Sequence, residues 1–243
     1  MNRTVTVKGT DLTRVLVNMD LWLLSGYLHV DEDGIRGYAT DGFVAMADAC
    51  DLQGKSENWL PGDDYLYKVD EEDVDHLLLI TRKIGAKNIE LICADSGLVV
   101  DGYGFENTEP DQDKKPKWVL DVNPEEESSF GSEEKEAPEW VHLLLDSLTY
   151  QGEAVSVSTL AFRPERFLKL SRVRSDNLAP IDMVFVSPIH SEAGPMVLVK
   201  IGYTFRALVN SVNREKAISN LQDGQEVWFW GTAVHQDLGE SDE

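Results

Sequence analysis

One supersecondary order recurs along this chain, a strand, a helix and then three strands, and a duplicated unit of that kind leaves few folds open. Its first copy is best seen from Leu23 to Leu52, reading LLSGYLHVDEDGIRGYATDGFVAMADACDL. Gly34 and Gly42 each follow an aspartate, the pairing that supplies positive φ in a two-residue hairpin turn, so three antiparallel strands are expected. Thr4 to Lys8 alternates as a short strand ahead of them, and Thr10 or Asp11 can cap a helix to about Asp20.

The order then starts again. Tyr65 to Val69 reads as a strand, Asp70 to Ile84 as a helix, and Asn88 to Ala94 and Gly97 to Tyr103 as returning strands. Asp70, Glu71, Glu72 and Asp73 suit the positive end of that helix, and Arg82 and Lys83 suit the negative end. A third copy runs from Ala154 to about Val212: strand VSVSTLAF, helix PERFLKLSRVRS, then strands IDMVFVSP, PMVLVKIGY and FRALVNSV. The expected class is α+β, with antiparallel sheets and helices on one face.

At Leu24-Ser25-Gly26, Gly34, Ala39-Thr40-Asp41-Gly42 and Ala45-Met46-Ala47 the chain resembles the bacterial β sliding clamp family. Those clamps are rings that tether a replicative polymerase to DNA, built from domains of two β-α-β-β-β halves. Ala154 to Asn213 resembles the closing half of a clamp's last domain. The resemblance covers roughly two-thirds of the chain. It implies a clamp-like domain at 1–122, an acidic linker at 123–138, an abbreviated second clamp-like domain at 139–235 and an acidic tail at 236–243. Two departures stand out. Phe43 and Val44 occupy positions where the family has a polar or aromatic residue and then Arg. Only the fifteen or so residues from Pro138 to Gly152, including WVHLLLDSLTY, stand where a whole half-repeat is expected.

The formal net charge of −22 opposes a DNA-encircling role, because Lys and Arg neutralising phosphate supply most non-specific affinity. Its distribution relieves the conflict. Phe105 to Glu139 carries twelve acids against Lys114, Lys115, Lys117 and Lys135, and Asp223 to Glu243 carries six acids and no base. These stretches read as solvated loop and tail and hold −14 of the −22, leaving −8 for the rest. An acidic exterior would keep DNA off the outside while a locally basic lumen admits it.

Arg166, Lys169 and Arg172 recur at i, i+3 and i+6 of the third-copy helix, with Phe167, Leu168, Leu170 and Val173 as its apolar side. Either that basic face is simply solvated, or it faces DNA. Arg163 and Arg174 extend it, and Arg14, Arg82 and Lys83 are further DNA-facing nominees. The family's client-peptide cleft, carried over position by position, implies Leu24, Thr40, Gly42, Phe43, Val44, Val69, Val74, Leu208, Val209 and Asn210. The alternative for Phe43 and Val44 is that they open a buried strand.

No catalytic constellation is visible. His29, His76, His142, His190 and His235 are scattered, and Cys-x-x-Cys, Gly-x-Ser-x-Gly and Walker-type loops are all absent from the sequence. A non-enzyme without cofactor or metal is expected. Cys50 and Cys93 read as small buried hydrophobes. Trp228 and Trp230 share one face of a terminal strand, in the core or at an interface. No run of 18 apolar residues and no apolar N-terminal region occurs, so a cytoplasmic protein off the membrane is expected. The implied function is a processivity factor that encircles duplex DNA as a homo-oligomer and recruits polymerase or repair proteins. The second reading is an acidic clamp-fold regulator or DNA mimic that binds a replication protein without encircling DNA. The compact chain suits a phage or mobile-element replication system.

Overall fold

The computed structural model describes residues 3–94, 97–100, 118–121, 138, 140–142, 144–145, 162, 164–175, 181–186 and 196–211. Its first unit is β1 (Arg3–Lys8), α1 (Gly9–Asp20), β2 (Ser25–Val30), β3 (Gly34–Thr40) and β4 (Val44–Lys55). The second is β5 (Tyr65–Val69), α2 (Glu71–Ile84), β6 (Asn88–Ala94), β7 (Gly97–Val100) and β8 (Trp118–Asp121). The third contributes α3 (Pro164–Leu170), β9 (Ile181–Val186), β10 (Met196–Ile201) and β11 (Phe205–Asn210). The α+β expectation of antiparallel strands and helices therefore holds. The third copy's first strand and the Trp228–Trp230 cluster lie outside the described residues.

Local chemistry accounts for the second helix. Asp70 accepts from the Asp73 backbone at 2.9 Å, and Asp73 returns the favour to the Asp70 N–H at 3.1 Å, a reciprocal capping box. Burial first, and then the neighbouring Asp70, push the Asp73 carboxyl up to about 6. The first helix is started differently from expectation. Neither Thr10 nor Asp11 caps it; the helix opens at Gly9, whose N–H donates to the Lys87 carbonyl at 2.9 Å. A Cβ on Gly9 would sit 2.5 Å from the Gly85 carbonyl oxygen, so the cap is a tertiary contact that demands glycine. The two Asp-Gly turns also differ. Gly42 has φ +84°, as its turn requires. Gly34 is not among the positive-φ residues; a Cβ there would lie 2.6 Å from the Cys50 carbonyl, so close strand approach selects it.

Each of the first two units lends its leading strand to the other. β1 pairs antiparallel with β6, and β5 pairs antiparallel with β2. The result is the strand order β5-β2-β3-β4-β1-β6-β7-β8, with β11 joined to β4, β10 to β11 and β9 to β10. β4 is the hinge of this arrangement. Its twelve residues pair with β3 on one side and, on the other, with β11 at Val44–Ala47 and with β1 at Leu52–Lys55. A register irregularity between Thr6 and Val7 marks the β1 end of that seam.

Alternation sorts the two faces. Val44, Met46 and Cys50 of β4, Phe205, Ala207 and Val209 of β11, and Val197 and Val199 of β10 join the main core beneath α1 and α2. Ala45, Ala47, Tyr38, Met196, Leu198 and Leu208 face the other way and form a second, smaller core. Asp48 points into the helix side and is fully buried. It accepts from Arg14 at 2.5 Å, from Asn18 at 2.7 Å and from the Ala49 N–H at 2.9 Å. Arg14 also donates to Thr204 at 2.7 Å, and Asn18 exchanges hydrogen bonds with the Arg174 backbone at 2.8 Å each way. These polar groups fasten the third unit to the first.

Two outcomes follow from this chemistry. Asp48→Ala removes a shared acceptor from the half-buried Arg14 guanidinium and the buried Asn18 amide, which keep Thr204 and the Ala49 and Arg174 carbonyls, and should cost about 1–3 kcal/mol in urea unfolding. For Asp73 the folded pKa lies above the unfolded one, so the native state holds the proton more tightly between about pH 4 and 6 and its contribution to stability is lost as pH rises through that window. Asp73→Asn should therefore gain on the wild type between pH 5 and 7.5, read from urea midpoints at both values.

Candidate functional site

The expected basic face of the third-unit helix is turned differently in the structure. Arg166 is only 5% exposed; its guanidinium donates to the Asn210 carbonyl at 2.6 Å and lies over the Phe43 ring, 4.4 Å from the centroid. Leu168, expected on the apolar side, is 59% exposed. The correction has a physical cause: the Arg stem and planar head are buried against Phe43 and a strand-end carbonyl, which removes them from the solvent-facing stripe. Lys169 is half-buried and donates to Asp41 at 3.2 Å. The helix ends at Leu170, leaving Arg172 and Arg174 exposed in the following turn. Arg14 is likewise engaged with Asp48 rather than displayed to solvent, and Arg163 lies outside the described residues.

The remaining cations define a surface. α1 packs against α2 on one flank, and its Asn18 holds the turn after α3 on the other, so the three helices share one layer. Exposed on that layer, the cap of α2 and the turn after α3 are Asp20, Asp70, Glu71, Glu72, Asp75 and Glu165 against Arg82, Lys83, Arg172 and Arg174. Six acids against four bases is a small excess on a chain whose whole charge is −22. The signs are segregated: the acids of α2 sit in its first half, where burial and the facing Asp75 push Asp20 up, and Arg82 and Lys83 close its last turn. Lys8 and Lys87, not foreseen from the sequence, are exposed where the Gly9 N–H meets the Lys87 carbonyl.

The expected client cleft divides in two. Val44, Val69, Val74, Leu208 and Val209 are all buried, the first three and Val209 in the main core and Leu208 in the second. They are closed to a ligand in this arrangement. For Val44 the buried-strand alternative is the correct one. Leu24, Thr40, Gly42, Phe43 and Asn210 do meet at one corner: the Leu24 N–H donates to the Thr40 carbonyl at 3.0 Å and the Asn210 N–H to the Phe43 carbonyl at 3.0 Å. Asp41 holds the turn by accepting from the Phe43 and Val44 N–H groups at 3.1 and 3.0 Å. Leu24 and Phe43 are 79% and 51% exposed. They are large apolar side chains in water beside a polar turn, the composition of a peptide anchor site. The Asx turn and the Arg166 platform keep Phe43 from folding back into the core.

Both cysteines are free and buried, and burial pushes each thiol up to about 12, so neither is a nucleophile at neutral pH. Among the described residues no group of three or more His, Cys, Asp or Glu could hold a metal ion, and no helix is long and apolar enough to cross a membrane.

The fold has relatives among solved structures. It is similar to the DNA polymerase sliding clamp of Bacillus subtilis, with a TM-score of 0.52 and 10% identity over 88% of this chain and 65% of that one. The β subunit of Streptococcus pyogenes DNA polymerase gives 0.51 and 8%, again over 88% and 65%. The Helicobacter pylori β clamp bound to a DNA ligase peptide gives 0.50 and 11%, over 88% and 69%. The fold is that of a sliding clamp. The chain spans less than two-thirds of the Bacillus and Streptococcus proteins it matches. No protein-family model and no curated protein matches the sequence.

Proposed function

We propose that this chain is a clamp-like processivity factor that closes with its copies around duplex DNA and recruits replication or repair proteins through the Leu24–Phe43 corner. The observation that carries the reading is the near-neutral helix layer on a strongly acidic protein. A ring gains processivity from topology, so its lining needs weak, mobile phosphate contacts and a rim that repels phosphate elsewhere. Arg82, Lys83, Arg172 and Arg174 would face the duplex, with Lys8 and Lys87 beside them. The reading divides the chain into a two-half domain at 1–122, an acidic linker at 123–138, a shortened second domain at 139–235 and an acidic tail at 236–243. It is a non-catalytic, cytoplasmic role, and the compact chain suits a phage-type system.

Client recruitment draws support from the exposed apolar pair beside a fixed turn, and from the DNA ligase peptide held by the Helicobacter clamp. Phe43→Ala should weaken binding of a labelled peptide of that kind at least fivefold by fluorescence anisotropy. Unchanged affinity would remove the corner from the proposal.

One observation favours the second reading. Glu71, Glu72 and Asp75 are exposed in the first half of α2, and Asp75 faces Asp20 at the end of α1, which fits an acidic regulator or DNA mimic that engages a basic partner. Retention on nicked circular DNA, compared with the same DNA linearised, separates the two. A ring stays on the circle and runs off the open ends, and reversing Arg82, Lys83, Arg172 and Arg174 to Glu should cut that retention at least tenfold. Equal behaviour on both DNA forms would sink the encircling role.

A further inference from the structure

β4 and β11 are the closing strands of the first and third units, and they pair antiparallel from Val44–Val209 to Ala47–Arg206. Two equivalent strands joined in this way relate their units by a local two-fold, so what stands at one end of the ladder has a counterpart at the other. The turn before β4 carries Gly42 at φ +84° and then Phe43; the turn before β11 carries Gly202 at φ +61° and then Tyr203. The helices are exchanged in the same sense. α3 of the third unit reaches the first unit's turn through Lys169 and Asp41, 3.2 Å apart, and α1 of the first unit reaches the third unit's turn through Arg14 and Thr204, 2.7 Å apart.

The likeness extends to what is left in water. Leu24, just ahead of β2, and Phe43 are exposed at the first end; at the second, Ile181, which opens β9, is 50% exposed and Tyr203 is 89% exposed. Ile181 stands opposite Ile201, the residue that enters the Tyr203 turn, as Ser25 beside Leu24 stands opposite Thr40. Arg206 fixes the second turn by donating to the Phe205 carbonyl at 2.7 Å and to the Gly202 and Tyr203 carbonyls at 3.1 Å each. Among the described residues these neutral oxygens are its only hydrogen-bond partners, so its charge stays uncompensated beside Tyr203. Lys200 stands opposite Asp182 in the β9–β10 ladder, and the exposed Asp51 lies four residues along β4 from Ala47, the register partner of Arg206. Phe205 and Ala207 enter the main core beneath the helices, so Arg206 between them projects from the other face of the sheet.

The geometry points to a second docking corner, Ile181–Tyr203, at the far end of the β4–β11 ladder, for a segment of a partner protein that brings an apolar side chain with an acidic neighbour. Ile181 and the Tyr203 ring receive the apolar group, and Arg206 receives the carboxylate in a charge-assisted hydrogen bond. A peptide fits this corner and duplex DNA does not, because Arg206 lies on the face turned away from the helix layer whose cations are proposed to meet phosphate. Corners at opposite ends of one ladder let two partners engage the chain together. The inference rests on the client reading only in taking the Phe43 corner as its pattern; no residue is shared.

The test selects random hexapeptides displayed on phage against the full chain carrying Phe43→Ala, which disables the first corner. Enriched peptides should combine an aliphatic or aromatic residue with Asp or Glu, and as labelled synthetic peptides should bind the wild type equally well. Tyr203→Ser should weaken them at least tenfold, and Arg206→Gln at least threefold with a loss that fades in high salt. Tyr203 and Ile181 face water, so serine at either removes no core packing, and Ile181→Ser is the second variant. No enrichment, a preference for Lys and Arg, or affinity that survives Tyr203→Ser overturns the proposal. A labelled duplex whose binding falls with Tyr203→Ser overturns it too, by assigning the corner to nucleic acid. Peptides that need Tyr203, found alongside unchanged affinity in the earlier Phe43→Ala test, sink the first corner alone; the converse pair of results sinks the second alone.

Discussion

A buried carboxylate at the middle of one long strand holds this protein together. β3 pairs with one side of β4 from Ala45 to Asp51, and β11 and β1 take the two ends of the other. At the point where the partner changes, the strand turns Asp48 inward, and Arg14, Asn18 and a backbone N–H converge on it. A lone buried carboxylate would be prohibitively costly, so the strand requires the helix. Arg14 and Asn18 then reach onward to Thr204 and Arg174. The orientation of the third unit is set by the same atoms that solvate Asp48.

That junction explains what is displayed and what is withdrawn. Cations near it, Arg14 and Arg166, are consumed in holding units together, while those at helix ends, Arg82, Lys83, Arg172 and Arg174, reach water. The near balance of the helix layer is therefore made by the peripheral bases alone. On the opposite face small residues on β4 meet larger ones on β11, and Val141 and Leu144 pack over them.

Features governed by near neighbours were readable in the sequence. The Asp41-Gly42 turn and the strands from Tyr65 to Val69 and Asn88 to Ala94 depend on local patterning, and the structure has them in those places. The Asp70–Asp73 capping box depends on four consecutive residues. What was misread depends on partners far away in the chain. Gly9 is selected by a carbonyl near residue 85, and Gly34 by one at Cys50. Arg166 looked like part of a solvent stripe because periodicity cannot reveal that Phe43 and the Asn210 carbonyl await it. Val44 and Val209 read as cleft residues, and only their pairing as register partners shows them sealed in the core.

The loan of strands between the first two units has a bearing on how the chain is made. As it leaves the ribosome, Arg3 to Lys8 emerges early, yet six of its backbone partners lie between Asn88 and Cys93. Until those residues emerge, β1 lacks its ladder to β6, and α1 lacks the Lys87 carbonyl that receives its first N–H. Such distant pairing slows folding by the cost of closing a long loop. Synthesis thus passes through a nascent stage with apolar Val5 and Val7 waiting for β6, and a stage of that kind is one that holding chaperones guard.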